Sequence, residues 1–390
     1  MWLNPPVPRG HKYQLPNPRR GSGGGFFLRV FVLLIMTVGI WVWWQSREPI
    51  APKPQLKPTA PTTNLAVAPR PVVVPPPTNV VAPPQTSAPP AKAVSPVPQP
   101  LPGVFPRPAR DVFEAQVALG RQAISPGSLD GVIGPQTRAA ILAFQRKSGL
   151  SETCELDADT RARLLLETPP LTTYVVTSND VARLQPLSGT WLGKSQQAAL
   201  EYETILELVA EKGRASPNLI RRLNPLTDWT QVAVGIELQI PDLAYPEPGG
   251  RAGFVVVSLG EKKLEAFDTS TNLLAHFPCS IAARMEKRPA GELHVAAIAP
   301  NPNYTFDPDV FPESAEARQL NRKLILPPGP NNPVGTAWIS LDKPGYGMHG
   351  TPNPEQVGRT ESHGCFRLAN WNAEYLVKLV WVGMPVYIEP

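Results

Sequence analysis

The chain has 390 residues, 37 Lys and Arg against 32 Asp and Glu for a formal charge of +5, 50 prolines, 5 histidines and 3 cysteines. Its length allows two or three domains, but prolines run well above the usual share of about 5% and crowd into the first third, leaving less of it to fold. Part of the positive balance sits at the N-terminal end, so it is no evidence for nucleic acid as a partner, and three cysteines cannot all pair with one another.

Residues 1–25 form a basic tail carrying Arg9, Lys12, Arg19 and Arg20, and residues 26–44 form a long apolar run closed by Trp41, Trp43 and Trp44. That run is long enough to cross a bilayer core of roughly 30 Å. The basic residues ahead of it keep the N-terminus cytosolic, and the tryptophans stand where an interfacial belt would. Gln45-Ser46-Arg47-Glu48 offers no small-x-small cleavage site, which favours an uncleaved single-pass anchor over a signal peptide. Residues 45–108 are Pro, Ala, Val and Thr with few charges and cannot bury a core. A spacer is expected, reaching up to about 180 Å if polyproline-like at about 3.1 Å per residue; a ligand for a proline-binding partner is the competing reading.

Residues 109–168 begin the folded part. Val112, Ala115 and Leu119 mark a helical face, Asp130-Gly131 a turn, and Gly134-Pro135 a helix start, with Gly149 as its stop and Asp157 as the cap of a third helix. The series Asp130, Gly131, Gly134, Thr137, Ala140, Phe144 and Gln145 resembles the pattern of the peptidoglycan-binding-like domain, whose members serve as docking or spacing units as often as glycan binders. In residues 172–242, Tyr174-Val175-Val176 and Ile236, Leu238, Ile240 read as strands around two helices, one on Ile205, Leu208 and Val209 and one starting at Ser216-Pro217. This order is similar to the lysin motif, a small wall-glycan binder. An insertion containing Trp191-Leu192-Gly193-Lys194 departs from it, so carbohydrate binding does not carry over there.

Residues 251–390 are strand-rich. Phe254 to Ser258, Lys263 to Phe267, Leu273 to Phe277 and Leu293 to Ile298 alternate or run apolar between turns. A late helix is expected with Asn370 as its cap and Gly383 as its stop. The proline-flanked stretch Asn301–Pro308 reads as a loop over a cleft, with Tyr304 and Phe306 as walls or anchors, and His276 and His294 as core or edge residues. Pattern alone allows a β-sandwich or a barrel.

Chemistry concentrates in His349-Gly350-Thr351 and, ten residues later, Ser362-His363-Gly364-Cys365-Phe366-Arg367. Cysteine attacks as thiolate and, with a free pKa near 8.5, needs an imidazole to take or hold its proton. His363 stands two residues before Cys365 and shares its face in an extended chain; His349 could reach it across a hairpin or neighbouring loop. The backbone N–H groups of Gly364 and Cys365 could aim at an oxyanion. Arg367 suits a substrate carboxylate or a structural acid. Zinc is the alternative use of Cys and His, but neither C-x-x-C nor H-x-x-x-H occurs, so no metal is expected. With Cys365 free, Cys154 and Cys279 lie in different segments and are expected as two buried thiols.

His349, Gly350, Thr351, Ser362, Gly364, Cys365 and Arg367 fill every fixed position of an H-G-T … S-x-G-C-x-R signature, and the run from Pro289 onward resembles the catalytic domain of the L,D-transpeptidases, bacterial enzymes that cross-link peptidoglycan. The resemblance implies a multidomain chain ending in a mainly β domain, a β-sandwich with one packed helix. It implies that Cys365 attacks the third residue of a tetrapeptide donor stem, releases the terminal D-alanine, and passes the acyl group from a thioester to a neighbouring amine as a 3-3 cross-link. His349 would be the base, oriented by a backbone carbonyl near Gly350, and His363 a shaper of the oxyanion site. Ser362, Gly350, Thr351, Tyr304 and Arg367 would line the substrate. Phe366, standing where a smaller aliphatic is common, would narrow the pocket beside the thiol. Peptidoglycan stems and glycan are the implied partners, carbapenem-type β-lactams the implied acylating agents, no cofactor is implied, and the location is the bacterial cytoplasmic membrane with the enzyme outside. The alternatives are an L,D-carboxypeptidase-type hydrolase and a wall-binding scaffold with a decayed site; intact Cys365, His349 and His363 argue against decay.

Overall fold

A computed structural model describes residues 103–310, 314–320, 322–359 and 364–390. The expected tail, anchor and nearly all of the spacer lie outside these residues, and among the described residues no helix is long and apolar enough to cross a membrane.

The first unit is a short pair of strands, β1 (Arg107–Pro108) with β2 (Leu165–Leu166), around helices α1 (Val112–Gly120), α2 (Pro135–Ser148) and α3 (Ala158–Arg163). The helix ends follow local chemistry. Asp111 and Asp157 accept the N–H groups of Glu114 and Thr160, Pro135 opens α2 where a missing N–H costs nothing, and Gly149 closes it. Inside, Gln116 donates to Asp130 Oδ1 at 2.9 Å and Thr137 Oγ1 at 3.0 Å while its carbonyl accepts from Gly131 N at 2.8 Å. Gln145 likewise donates to Thr160 Oγ1 at 2.8 Å and accepts from Cys154 N at 3.0 Å. The polar members of the sequence pattern thus tie turn to helix.

Next come β3 (Leu171–Val175) and β4 (Glu237–Pro241), an antiparallel pair. Between them lie α4 (Ser178–Ala182), α5 (Trp191–Ser195), α6 (Ile205–Lys212) and α7 (Pro217–Leu223). Ser216 caps α7 and Leu238 and Ile240 are buried, as their alternation requires. Leu119, Ile141, Leu208, Ile220 and Leu238 belong to one hydrophobic cluster, so the two accessory segments share a core.

The C-terminal part contains β5 (Phe254–Ser258), β6 (Lys263–Phe267), β7 (Leu273–Pro278), β8 (Gly291–Pro300), β9 (Tyr304–Phe306), α8 (Ala315–Gln319), β10 (Leu324–Leu326), β11 (Ala337–Leu341), β12 (Gly347–His349), β13 (Phe366–Arg367), α9 (Asn370–Leu379) and β14 (Pro385–Glu389). Eight strands form one mixed sheet in the order β13-β12-β11-β8-β14-β5-β6-β7. The expected sandwich of two sheets is not what forms. The ten-residue β8 pairs with β14 over residues 291–294 and with β11 over residues 295–300, so one staggered strand joins both halves around a shared core that includes Val257, Phe277, Ile339, Met348 and Leu376 of α9.

Three local expectations need correction. Asn370 is the first residue of α9 rather than its cap, which is Ala369; its side chain instead donates to Pro330 O at 3.2 Å and accepts from Thr336 N at 3.3 Å. Within Asn301–Pro308, Tyr304–Phe306 is a strand paired with β10; Pro302 and Pro308 lie outside it, where a missing N–H breaks no ladder bond. Cys154 is only half-buried, although Cys279 is buried and all three cysteines are free.

Candidate active site

β12 and β13 run parallel, pairing Met348 with Phe366 and His349 with Arg367. Alternation then sorts the side chains. Met348 and Phe366 are fully buried in the core, which puts His349 and Arg367 on the opposite face; Cys365, just ahead of β13, falls on that face by the same alternation, two rungs from His349. The expected narrowing of the pocket by Phe366 is overturned for the same reason: it is the sequence neighbour of the thiol but points away from it. β13 is held on its other side by Ser280, which exchanges backbone bonds with Arg367 at 2.9 and 3.1 Å.

The imidazole of His349 is 4% exposed. Its Nδ1 lies 2.6 Å from Gly350 O; a carbonyl only accepts, so Nδ1 carries the proton and Nε2 keeps a free lone pair. The ring of Trp338, its cross-strand partner, stacks on it at 5.4 Å and 26°. Burial is the main cause that holds the imidazole down to about pKa 4; the Arg367 charge acts in the same direction and the Gly350 bond against it.

Gly350 is itself fixed. Its N–H bonds Ala337 O at 3.1 Å, and a side chain at either Gly350 or Gly335 would run into Asn370 Oδ1. Gly335 adopts φ 62°, a conformation that favours glycine. Thr351 is buried and its hydroxyl accepts Asn353 N at 3.3 Å, so it braces the turn.

Cys365 is half-buried, and its Sγ donates to Gly345 O at 3.5 Å. Burial pushes the thiol up to about 11, against the lowering effects of the Gly347 N–H and the Arg367 charge. At neutral pH the resting thiol and the resting imidazole are therefore both uncharged. Tyr304, also raised to about 12 mainly by burial, feels the charges of both Cys365 and Arg367. Gly364 is buried, and a side chain there would touch the Tyr346 ring at 3.6 Å. Ser362 and His363 lie outside the described residues.

Other sequence candidates sit elsewhere. His276 is buried with Nδ1 2.9 Å from Glu265, and His294 is exposed beside Asp342 at 3.1 Å. Among the described residues no group of three His, Cys, Asp or Glu side chains is placed to hold a metal ion. Trp338 and Tyr346 were not singled out by sequence, and Asn370 was expected only as a helix cap; for Tyr346 the signal was there, since Gly345-Tyr346-Gly347 directly precedes Met348-His349.

The L,D-transpeptidase catalytic domain family (YkuD) matches residues 252–388, and the family described as "Putative peptidoglycan binding domain" matches residues 109–164. The "Putative L,D-transpeptidase YkuD" of Bacillus licheniformis is 27% identical over 185 residues, covering 47% of this chain and 93% of that protein. The "Probable L,D-transpeptidase ErfK/SrfK" of Escherichia coli is 29% identical over 180 residues, covering 46% and 57%. Among solved structures, L,D-transpeptidase 3 from Mycobacterium tuberculosis, crystallised with a faropenem-derived adduct, gives a TM-score of 0.29 at 16% identity, covering 41% of this chain and 76% of that one. Residues 252–388 thus match an L,D-transpeptidase catalytic domain, and residues 109–164 ahead of them a peptidoglycan-binding domain.

Proposed function

We propose that this chain is a peptidoglycan L,D-transpeptidase with Cys365 as nucleophile and His349 as base, tethered to the cytoplasmic membrane by residues 26–44 and working on the wall outside it. The carrying observation is the 2.6 Å bond between His349 Nδ1 and Gly350 O, which leaves Nε2 as the acceptor, with His349 paired to Arg367, two residues from Cys365.

The neutral resting pair dictates the order of events. Sγ attacks the carbonyl of the third residue of a tetrapeptide stem as His349 Nε2 takes the thiol proton, forming the C–S bond and an oxyanion. Backbone N–H groups of Gly364 and Cys365, with His363, would receive that oxyanion. Collapse breaks the C–N bond, the imidazolium returns its proton to the departing D-alanine amine, and a thioester remains. An acceptor amine then attacks, its proton passes to Nε2, and the thiolate leaves and is reprotonated. Arg367 and Tyr304, whose phenol feels the charges of Cys365 and Arg367, would suit a stem carboxylate and a stem backbone. The segment at residues 172–242 sets four helices between its two strands, two of them beyond the lysin-motif order, and contact with glycan there would rest on the second half of the segment alone.

Detergent-solubilised full chain incubated with disaccharide tetrapeptide decides the reaction by mass. A dimer lacking one D-alanine is the expected product. Monomer lacking D-alanine would mean a hydrolase, and unchanged substrate with intact wall binding would mean a scaffold.

A further inference from the structure

The insertion that departs from the lysin-motif pattern packs against the catalytic part. The Trp191 ring stacks on Phe306 of β9 at 4.3 Å and 16°, and Phe306 is fully buried. Glu316 of α8 accepts the backbone N–H groups of Trp191 and Leu192 at 2.9 and 3.0 Å. Leu200, Phe306, Ala317, Leu324 and Leu326 form a separate hydrophobic cluster, joined at its margin by Trp191 and Tyr304. On the other flank, Leu200 N bonds Pro328 O at 2.8 Å and Leu200 O accepts Asn331 N at 2.9 Å. Gly329, at φ 139°, has no room for a side chain because Leu200 backbone fills it. The Asn331 side chain crosses back to Glu201 O at 2.9 Å. Four residues on, Gly335 lies against Asn370 Oδ1 and the Gly350 backbone, where a side chain would have no room.

We infer that residues 187–201 belong to the frame of the catalytic cleft, and that Trp191 is a positioning residue that holds the β9–β10 hairpin so that Tyr304 forms a wall beside Cys365. Two flat rings in contact fix the hairpin's tilt as well as its distance, and an aliphatic pair would not. The two bonds to Glu316 are charge-assisted and set the rotation of the short helix bearing Trp191. Tyr304 lies two residues from Phe306 on the same strand, so both side chains share a face, and moving the stack moves the phenol. An accessory segment thus shapes the site through direct packing, and a wall ligand is not needed for that effect.

The inference rests on Cys365 being the reactive group, and two readouts separate the ideas. In full-length protein, Trp191→Ala should raise the stem KM about tenfold with kcat within about twofold, because uniform substrate binding is lost while the thiol and base stay in place. Alkylation of Cys365 by iodoacetamide, followed by mass, needs no transpeptidase activity and should quicken about threefold as the wall withdraws. Trp191→Phe, which keeps a flat ring, should return both values to within about twofold of the wild type. Combining Trp191→Ala with Tyr304→Ala should add little to Tyr304→Ala alone. Glu316→Ala should mimic Trp191→Ala in direction, and decides the matter should the tryptophan variant fail to fold. Unchanged KM and alkylation in the folded variant, or an effect just as large in the Tyr304→Ala background, would overturn the inference. Loss of all stem turnover in wild type with normal alkylation would instead sink the transpeptidase reading and leave the packing claim standing.

Discussion

The helical unit of residues 109–164 and the stretch of residues 345–367 both carry dense sequence signatures, yet the two signatures encode different things. In the first, Asp130, Gly131, Thr137 and Gln145 turn inward and satisfy one another or the backbone. In the second, apolar Met348 and Phe366 turn inward and leave His349, Cys365 and Arg367 on the other face. A polar pattern whose members are mutually bonded specifies a fold, whereas one held on the far side of a buried apolar rung specifies a reaction. The distinction can be broken by mutation in either region.

The largest effect should fall on Cys365→Ala, which removes the proposed nucleophile: stem acylation should drop by at least about 10⁴-fold while the melting temperature barely moves. His349→Ala should cost about 10³-fold in acylation, in the range of a lost general base. The pH profile sharpens the same point. Since the imidazole is held near 4 and the thiol near 11, acylation should stay level through neutral pH and fall only as acid protonates Nε2 near pH 4. A rise through about pH 8.5, the free-thiol value, measured by rapid-quench acylation, would show instead a solvent-like thiol and sink the neutral-pair description.

In the helical unit the expectation reverses. Gln116→Ala leaves the Gly131 N–H and the Thr137 hydroxyl short of a partner in a buried site, so unfolding free energy should fall by about 2–3 kcal/mol, while stem turnover by the folded fraction is kept. A thermal melt paired with a turnover assay at low temperature checks both halves. Equal loss of turnover at full foldedness would mean that this unit does more than fold.

Much of this was legible. Local capping chemistry is written in a few adjacent residues, so Asp157, Ser216, Pro135 and Gly149 marked their helix ends correctly. The carbonyl that holds the His349 ring was legible through the family resemblance, since H-G-T puts it one residue from that ring. What escaped depended on partners distant in sequence. Asn370 looks like a cap by residue type, but its amide is drawn to Pro330 and Thr336 on a neighbouring loop. Trp191 meets Phe306 across 115 positions, and nothing near either residue announces the other. Phe366 was misread because adjacency to Cys365 was taken for proximity, against the period of two.

Asn370→Ala tests the loop that joins these errors. Removing the amide frees Gly335 and Gly350 to shift, and with them the carbonyl that fixes the His349 tautomer and tilt. Because the base is misplaced rather than lost, kcat should fall about tenfold with KM nearly unchanged, a smaller effect than His349→Ala. A tenfold rise in KM at constant kcat would instead assign Asn370 to the substrate.

Phe366→Leu should have the smallest effect and separates two pictures of the same residue. If the ring narrowed the donor pocket, trimming it would change the choice among stems of different third-residue size. With the ring buried behind the strand, the substitution removes apolar volume from the core and should cost about 1–2 kcal/mol of stability. Relative kcat/KM for two donor stems should then hold within about twofold, because Cys365 and Arg367 keep their face as long as β13 stays paired on both sides. A clear change in that ratio without loss of stability would return Phe366 to the pocket and undo the alternation on which the site is built.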